Sequence, residues 1–211
     1  MSGSIAPSRF HEVGWRVLAY AECTHFRTGS LAEGAALAEA ISGLAGTAGR
    51  QPDVDLRSKG VTVRLQRDES GELTEADLAL AGAISGAARE LGAVVDLTGL
   101  QTFQIAIDAL VIPDVVPFWQ AVLGYAPFGD SLIDPDFEGP TFWFQQMDAP
   151  RPQRNRIHID LYLPEDQARA RIDAAVAAGG RIVNDAHAPG WWTLADPEGN
   201  EVDVAPWPDA D

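Results

Sequence analysis

One cysteine, Cys23, is the whole thiol inventory of 211 residues, so an intrachain disulfide framework is excluded and a reducing compartment suits the chain. Nothing near Cys23 in sequence lowers its pKa, which makes it a poor lone nucleophile. Basic residues are scarce as well. Fifteen Lys and Arg against 31 Asp and Glu leave a net charge of −16, which argues against nucleic acid held by a basic patch and favours a cation among small ligands. A long apolar run is also missing: the most apolar region, Ile105 to Phe128, is broken by Asp108, Pro113, Asp114 and Pro117, so it is no unbroken membrane span. The opening residues lack the apolar core of a signal peptide. The expectation is a soluble cytoplasmic protein without a membrane partner. With 46% apolar residues, the chain has enough to build one large core or two small ones.

Residues 1–14 read as a loose lead-in. Trp15 to Thr28, rich in β-formers and aromatics, reads as one long or two short strands. Ser30 with Glu33 forms a capping-box pattern for a helix over Leu31–Leu44, closed by Gly43, Gly46 and Gly49. Val54–Leu56 and Val61–Gln66 predict two strands hinged at Ser58-Lys59-Gly60. Thr74 and Asp77 repeat the cap for a helix ending at Leu91-Gly92. This order makes an α+β unit over 1–98, joined by a short connection to a second domain over 99–211.

The second domain repeats one order: strand 102–108, helix 114–123 and further strands, then strand 156–163, helix 165–178 and further strands. Two such modules of about 50 residues suggest an internal duplication. Asp196-Pro197-Glu198-Gly199-Asn200 is a tight turn by composition.

Three strands carry a polar face. Ile157, Ile159, Leu161 and Leu163 alternate with His158, Asp160 and Tyr162. Gln104 and Asp108 oppose Phe103, Ile105 and Ile107, and Glu201 and Asp203 oppose Val202 and Val204. Curled into one sheet with apolar faces outward, these strands predict a polar cup holding Gln104, His158 and Asp203.

Phe118-Trp119-Gln120-Ala121-Val122-Leu123-Gly124-Tyr125, Asn155-Arg156-Ile157-His158-Ile159-Asp160-Leu161 and Ala195-Asp196-Pro197-Glu198-Gly199-Asn200-Glu201 resemble the vicinal oxygen chelate superfamily, in its glyoxalase-like branch. The resemblance implies a paired βαβββ domain and one divalent metal, with Gln104, His158 and Asp203 at the ligand positions. Asp203 stands where relatives usually carry Glu, and an amide, an imidazole and one carboxylate give a single negative charge. The alternative for His158 is a hydrogen bond within the sheet. Asp160 and Glu201 are the candidate general bases, because mutual burial raises one carboxyl pKa. Trp143, Trp191 and Trp192 are either a stacking surface for a flat or cationic substrate or core packing; Phe142 and Phe144 read as core. Arg151, Arg154 and Arg156 read as loop charges or an anion clamp, and His187 as an exposed loop residue.

Residues 24–92 resemble pterin-4a-carbinolamine dehydratase through Pro52-Asp53-Val54, Val61-Thr62-Val63-Arg64-Leu65 and Gly71-Glu72-Leu73-Thr74-Glu75-Ala76-Asp77-Leu78. The resemblance implies a small α/β sandwich. Its active members carry a His pair and a third His where this chain has Arg50, Gln51 and Asp68, so the site is degenerate: a guanidinium yields no proton and an amide does not titrate. Three functions follow from these residues. The first is a glyoxalase-like lyase, isomerase or dioxygenase. The second is a binding or resistance protein that sequesters a small molecule, and the third is residual dehydratase activity. A homodimer is the expected assembly.

Overall fold

The computed structural model describes residues 5–67, 70–150, 157 and 159–207. The chain falls into two compact units, Met1–Thr102 and Phe103–Asp211. Among the described residues no helix is long and apolar enough to cross a membrane.

The first unit runs α1 (Ser8–Glu12), β1 (Arg16–Leu18), β2 (Ala21–Arg27), α2 (Leu31–Ala48), β3 (Asp53–Arg57), β4 (Gly60–Gln66), α3 (Glu75–Glu90) and β5 (Val94–Val95). Its antiparallel sheet is ordered β1-β2-β4-β3, and β5 shares an edge of β2 with β1. Phe26, Val61, Val63 and Leu65 on the sheet meet Leu37 and Ile41 of α2 and Leu80 and Ile84 of α3 in one core. The expected lead-in is not all loose. Phe10 of α1 is fully buried in the core, and just after the lead-in the buried Trp15 indole donates to Ser85 Oγ (3.0 Å), whose hydroxyl donates to the Val13 carbonyl (2.7 Å).

Both N-caps form. Ser30 Oγ accepts from the Glu33 N–H, and Thr74 Oγ1 from the Asp77 N–H. The return bond of the first box lands on Gly29, whose N–H donates to Glu33 Oε2 (2.8 Å). Helix α2 passes Gly43 and Gly46 and stops at Gly49, with φ of 66°. Burial of Ala45 and packing of Leu44 outweigh a glycine penalty of about 1 kcal/mol per residue.

The second unit contains two copies of one topology. The first copy is β6 (Gln104–Ala109), α4 (Ile112–Leu123), β7 (Ala126–Phe128), β8 (Ser131–Ile133) and β9 (Thr141–Gln146). The second is β10 (Asp160–Pro164), α5 (Glu165–Ala177), β11 (Arg181–Asn184), β12 (Trp192–Ala195) and β13 (Glu201–Trp207). The sheets are ordered β6-β9-β8-β7 and β10-β13-β12-β11, and in each the first strand runs parallel to the last. The repeat reaches the turns: Asp134-Pro135 follows β8 as Asp196-Pro197 follows β12, and both aspartates accept backbone N–H groups of their own turns.

One core spans both copies, with Ile107, Phe118, Trp119 and Phe142 from the first and Ile172, Leu194, Val202 and Val204 from the second. The fully buried Asp196 carboxylate ties them together. Its Oδ2 accepts from Trp119 Nε1 (3.0 Å) and Asn200 Nδ2 (2.8 Å), and its Oδ1 from the N–H groups of Glu198 and Asn200 (both 2.9 Å). Glu198 reaches the first copy, accepting from the N–H groups of Leu110 (2.7 Å) and Val111 (2.6 Å) just before α4. These are donors that a helix start leaves unpaired. Gly180 follows α5 against Phe118, where an added Cβ would run into the ring.

Asp196→Ala strands the buried Trp119 and Asn200 donors, and the expected loss is about 3 kcal/mol in urea denaturation of the C-terminal unit. Glu198→Ala, which removes only a remote cap, is expected to cost about 1 kcal/mol.

Candidate functional site

Strand alternation decides which side chains are left for chemistry in the second unit. Ile105 and Ile107 of β6, Phe142 and Phe144 of β9, Leu161 and Leu163 of β10, and Val202 and Val204 of β13 all pack on the core. Their neighbours therefore point away from it: Gln104 and Asp108, Trp143 and Gln145, Asp160 and Tyr162, Glu201 and Asp203. The polar faces expected for these strands are present.

On the second sheet Asp160 and Asp203 are direct register partners across parallel β10 and β13. Neighbouring strands lie about 4.8 Å apart, so two carboxylates stand side by side on one face. Among the described residues neither is engaged by a hydrogen bond or an ion pair. Asp203 also faces buried Thr193 on β12, and Glu201 lies two residues along the same strand. Asp160 is exposed and Glu201 half-buried, so the mutual burial expected of these two carboxylates is not present. The reason is position: β10 is an edge strand of its sheet.

The other expected residues divide. Gln104 is exposed at the start of β6, in the first sheet, while Asp203 is half-buried in the second. His158 lies outside the described residues, as do Asp68, Arg151, Arg154 and Arg156. Phe103 and Ile157, expected on apolar strand faces, are 64% and 80% exposed because each precedes its strand. Trp143 is half-buried on the polar face of β9, beside Ser131 and Ala106. Trp192 packs against the core, in register with Val204. Exposed Trp191 stacks on His187 with centroids 4.1 Å apart.

Among the described residues no three His, Cys, Asp or Glu side chains stand close enough to hold a metal ion. Of the three expected ligands, Gln104 and Asp203 stand on different sheets, and His158 lies outside the described residues.

The first unit has a cavity of about 230 Å³, lined by Gly49, Arg50, Ser70, Thr74 and Asp77 among others; of the positions expected for a degenerate dehydratase site it includes Arg50. Arg50 does not act as a proton shuttle there. Its Nε pairs with buried Asp77 (2.9 Å) and its Nη2 donates to the Gln66 carbonyl (2.8 Å). Gln51 is exposed.

The sequence reading passed over Glu22. In the register of β2 with β4, Glu22 pairs with Leu65, Thr24 with Val63 and Phe26 with Val61, so Glu22 occupies an apolar-face position. That parity was a signal available in the sequence. Burial, then the charge of Asp77, pushes its carboxyl from 4.5 up to about 7, against the pull of Arg67 and Arg50. Cys23 on the opposite face is buried, and its thiol is pushed up to about 11, chiefly by burial, which agrees with an inert role.

Comparison with known proteins accounts for both units. The profile of the Pterin 4 alpha carbinolamine dehydratase family matches residues 5–87, and that of the Glyoxalase-like domain family matches residues 104–205. Among solved structures, a glyoxalase-related enzyme from Fulvimarina pelagi is 18% identical, with 53% of this chain and 93% of that chain covered and a TM-score of 0.40. A glyoxalase/bleomycin resistance protein from Albidiferax ferrireducens T118 is 20% identical, covering 50% and 98%, with a TM-score of 0.39. A transcriptional coactivator/pterin dehydratase from Brucella melitensis is 17% identical, covering 41% and 99%, with a TM-score of 0.36. Comparison with curated proteins returns no match. The chain is thus similar to two families in succession, pterin 4 alpha carbinolamine dehydratase over residues 5–87 and the glyoxalase-like domain over residues 104–205.

Proposed function

We propose that the C-terminal unit is a glyoxalase-like small-molecule enzyme, of the lyase, isomerase or dioxygenase kind, working on the polar faces of its two sheets. The observation that carries this reading is the Asp160–Asp203 pair. Like charges directly opposite one another on a sheet destabilise it, so a fold selected only for stability would not keep them. Asp160 and Glu201 are the proton acceptors in this reading, and Trp143 is a stacking surface for the substrate.

A second reading, sequestration of a cationic molecule without turnover, is favoured by the same carboxylates standing on a face that also carries Tyr162. The two separate on the fate of the ligand. The test incubates the full chain with a panel of small metabolites bearing vicinal oxygens and with flat aromatic cations. The enzyme reading expects turnover that falls at least about 100-fold in Asp160→Asn or Glu201→Gln. Tight binding of a cation recovered unchanged, with no turnover of any panel member, selects sequestration. Metal content of protein purified without chelator, compared with His158→Ala and Asp203→Ala, decides separately whether a divalent ion is held.

Stability supplies an independent check. Asp160→Asn relieves the repulsion and is expected to stabilise the C-terminal unit by about 0.5 kcal/mol. A loss of more than about 1 kcal/mol would make the carboxylate a structural element and remove the ground for the proposal.

A further inference from the structure

Glu22 is fully buried on the helix-facing side of β2, and neither carboxylate oxygen has a hydrogen-bond partner. Its register neighbours on that face are apolar: Val17 of β1 and Leu65 of β4. Among the described residues, the charged groups that act on it are three. Arg67, which follows β4, forms an ion pair with it through Nε at 3.3 Å, without the alignment of a hydrogen bond. Asp77 of α3 and Arg50 beyond α2 form their own 2.9 Å pair. Both line the 230 Å³ cavity. Arg67 is also committed elsewhere, donating to the carbonyls of Ala19 and Gly71.

Burial among apolar neighbours, with no aligned donor, favours a carboxylate that keeps its proton. Once ionised, Glu22 draws on the Arg67 Nε beside it, while the rest of that guanidinium is bound to the Ala19 and Gly71 carbonyls and Arg50 is bound to Asp77 and the Gln66 carbonyl. Ionisation must therefore compete for those contacts or loosen β2 toward water. We propose that Glu22, Arg67, Arg50 and Asp77 form a proton-sensitive latch beside the cavity whose wall Arg50 and Asp77 supply, closed while Glu22 holds its proton and loosened when the proton leaves.

The direction follows from linkage. Below 4.5 the closed and open forms both hold the proton. Between 4.5 and about 7 only the closed form keeps it, so stability falls as pH rises through that window and levels off above it. A neutral isostere at the same position removes the dependence.

Hydrogen exchange of a peptide spanning Ala21–Arg27 in the full chain, wild type against Glu22→Gln at pH 6, 7 and 8, reads the latch directly. The ratio of wild-type to variant opening is expected to rise about tenfold from pH 6 to pH 8. A ratio that stays flat overturns the proposal. Should Glu22→Gln fail to fold, the carboxyl 13C resonance of Glu22 in the wild type decides. A midpoint near neutrality supports the latch, and a midpoint in the ordinary glutamate range, or no titration between pH 5 and 9, overturns it.

Discussion

The C-terminal unit depends on a single buried carboxylate. Asp196 gathers two side-chain and two backbone donors at the end of β12, and through Trp119 it fastens the second copy of the repeat to the helix of the first. Glu198 in the same turn supplies the oxygens that the backbone before α4 needs. An anion inside a core is tolerated only when its acceptor sites are filled, and here they are. The Asp-Pro-Glu-Gly-Asn turn that marks the family resemblance is therefore a joint between two modules, with its acids consumed by structure.

That use of acids separates two populations. Asp134, Asp196 and Glu198 all accept backbone N–H groups and hold turns or a helix start. Asp160 and Asp203 hold nothing among the described residues and face each other across a parallel ladder. Sealing both apolar faces into one core leaves the opposite faces to the polar side chains. The contrast between employed and unemployed carboxylates is what gives the polar faces chemical meaning.

In the N-terminal unit Arg50 closes on Asp77, so its guanidinium is held by structure. Glu22, whose carboxyl burial pushes up to about 7, sits on the apolar face of β2. A cavity remains with Arg50 and Asp77 in its wall.

Much of this was legible in the chain because period and punctuation are local. Alternation in Gln104–Asp108 and Glu201–Val204, the caps at Ser30 and Thr74, and the glycines after α3 and α4 follow from short-range sterics and hydrogen bonding. The duplication followed from the order of such segments. What the sequence left open are matters of register and distance. Asp160 meets Asp203 because β10 joins β13 at that residue and no other, and Trp192 faces the core because it pairs with Val204. Phe10 fell in an expected loose lead-in, yet it is fully buried beside a chain start that Trp15 anchors to Ser85, seventy residues on. Local chemistry determined which elements form and which faces are polar; only the folded chain decided which charges become neighbours, because electrostatic partnership depends on separations of a few ångströms between residues far apart in sequence.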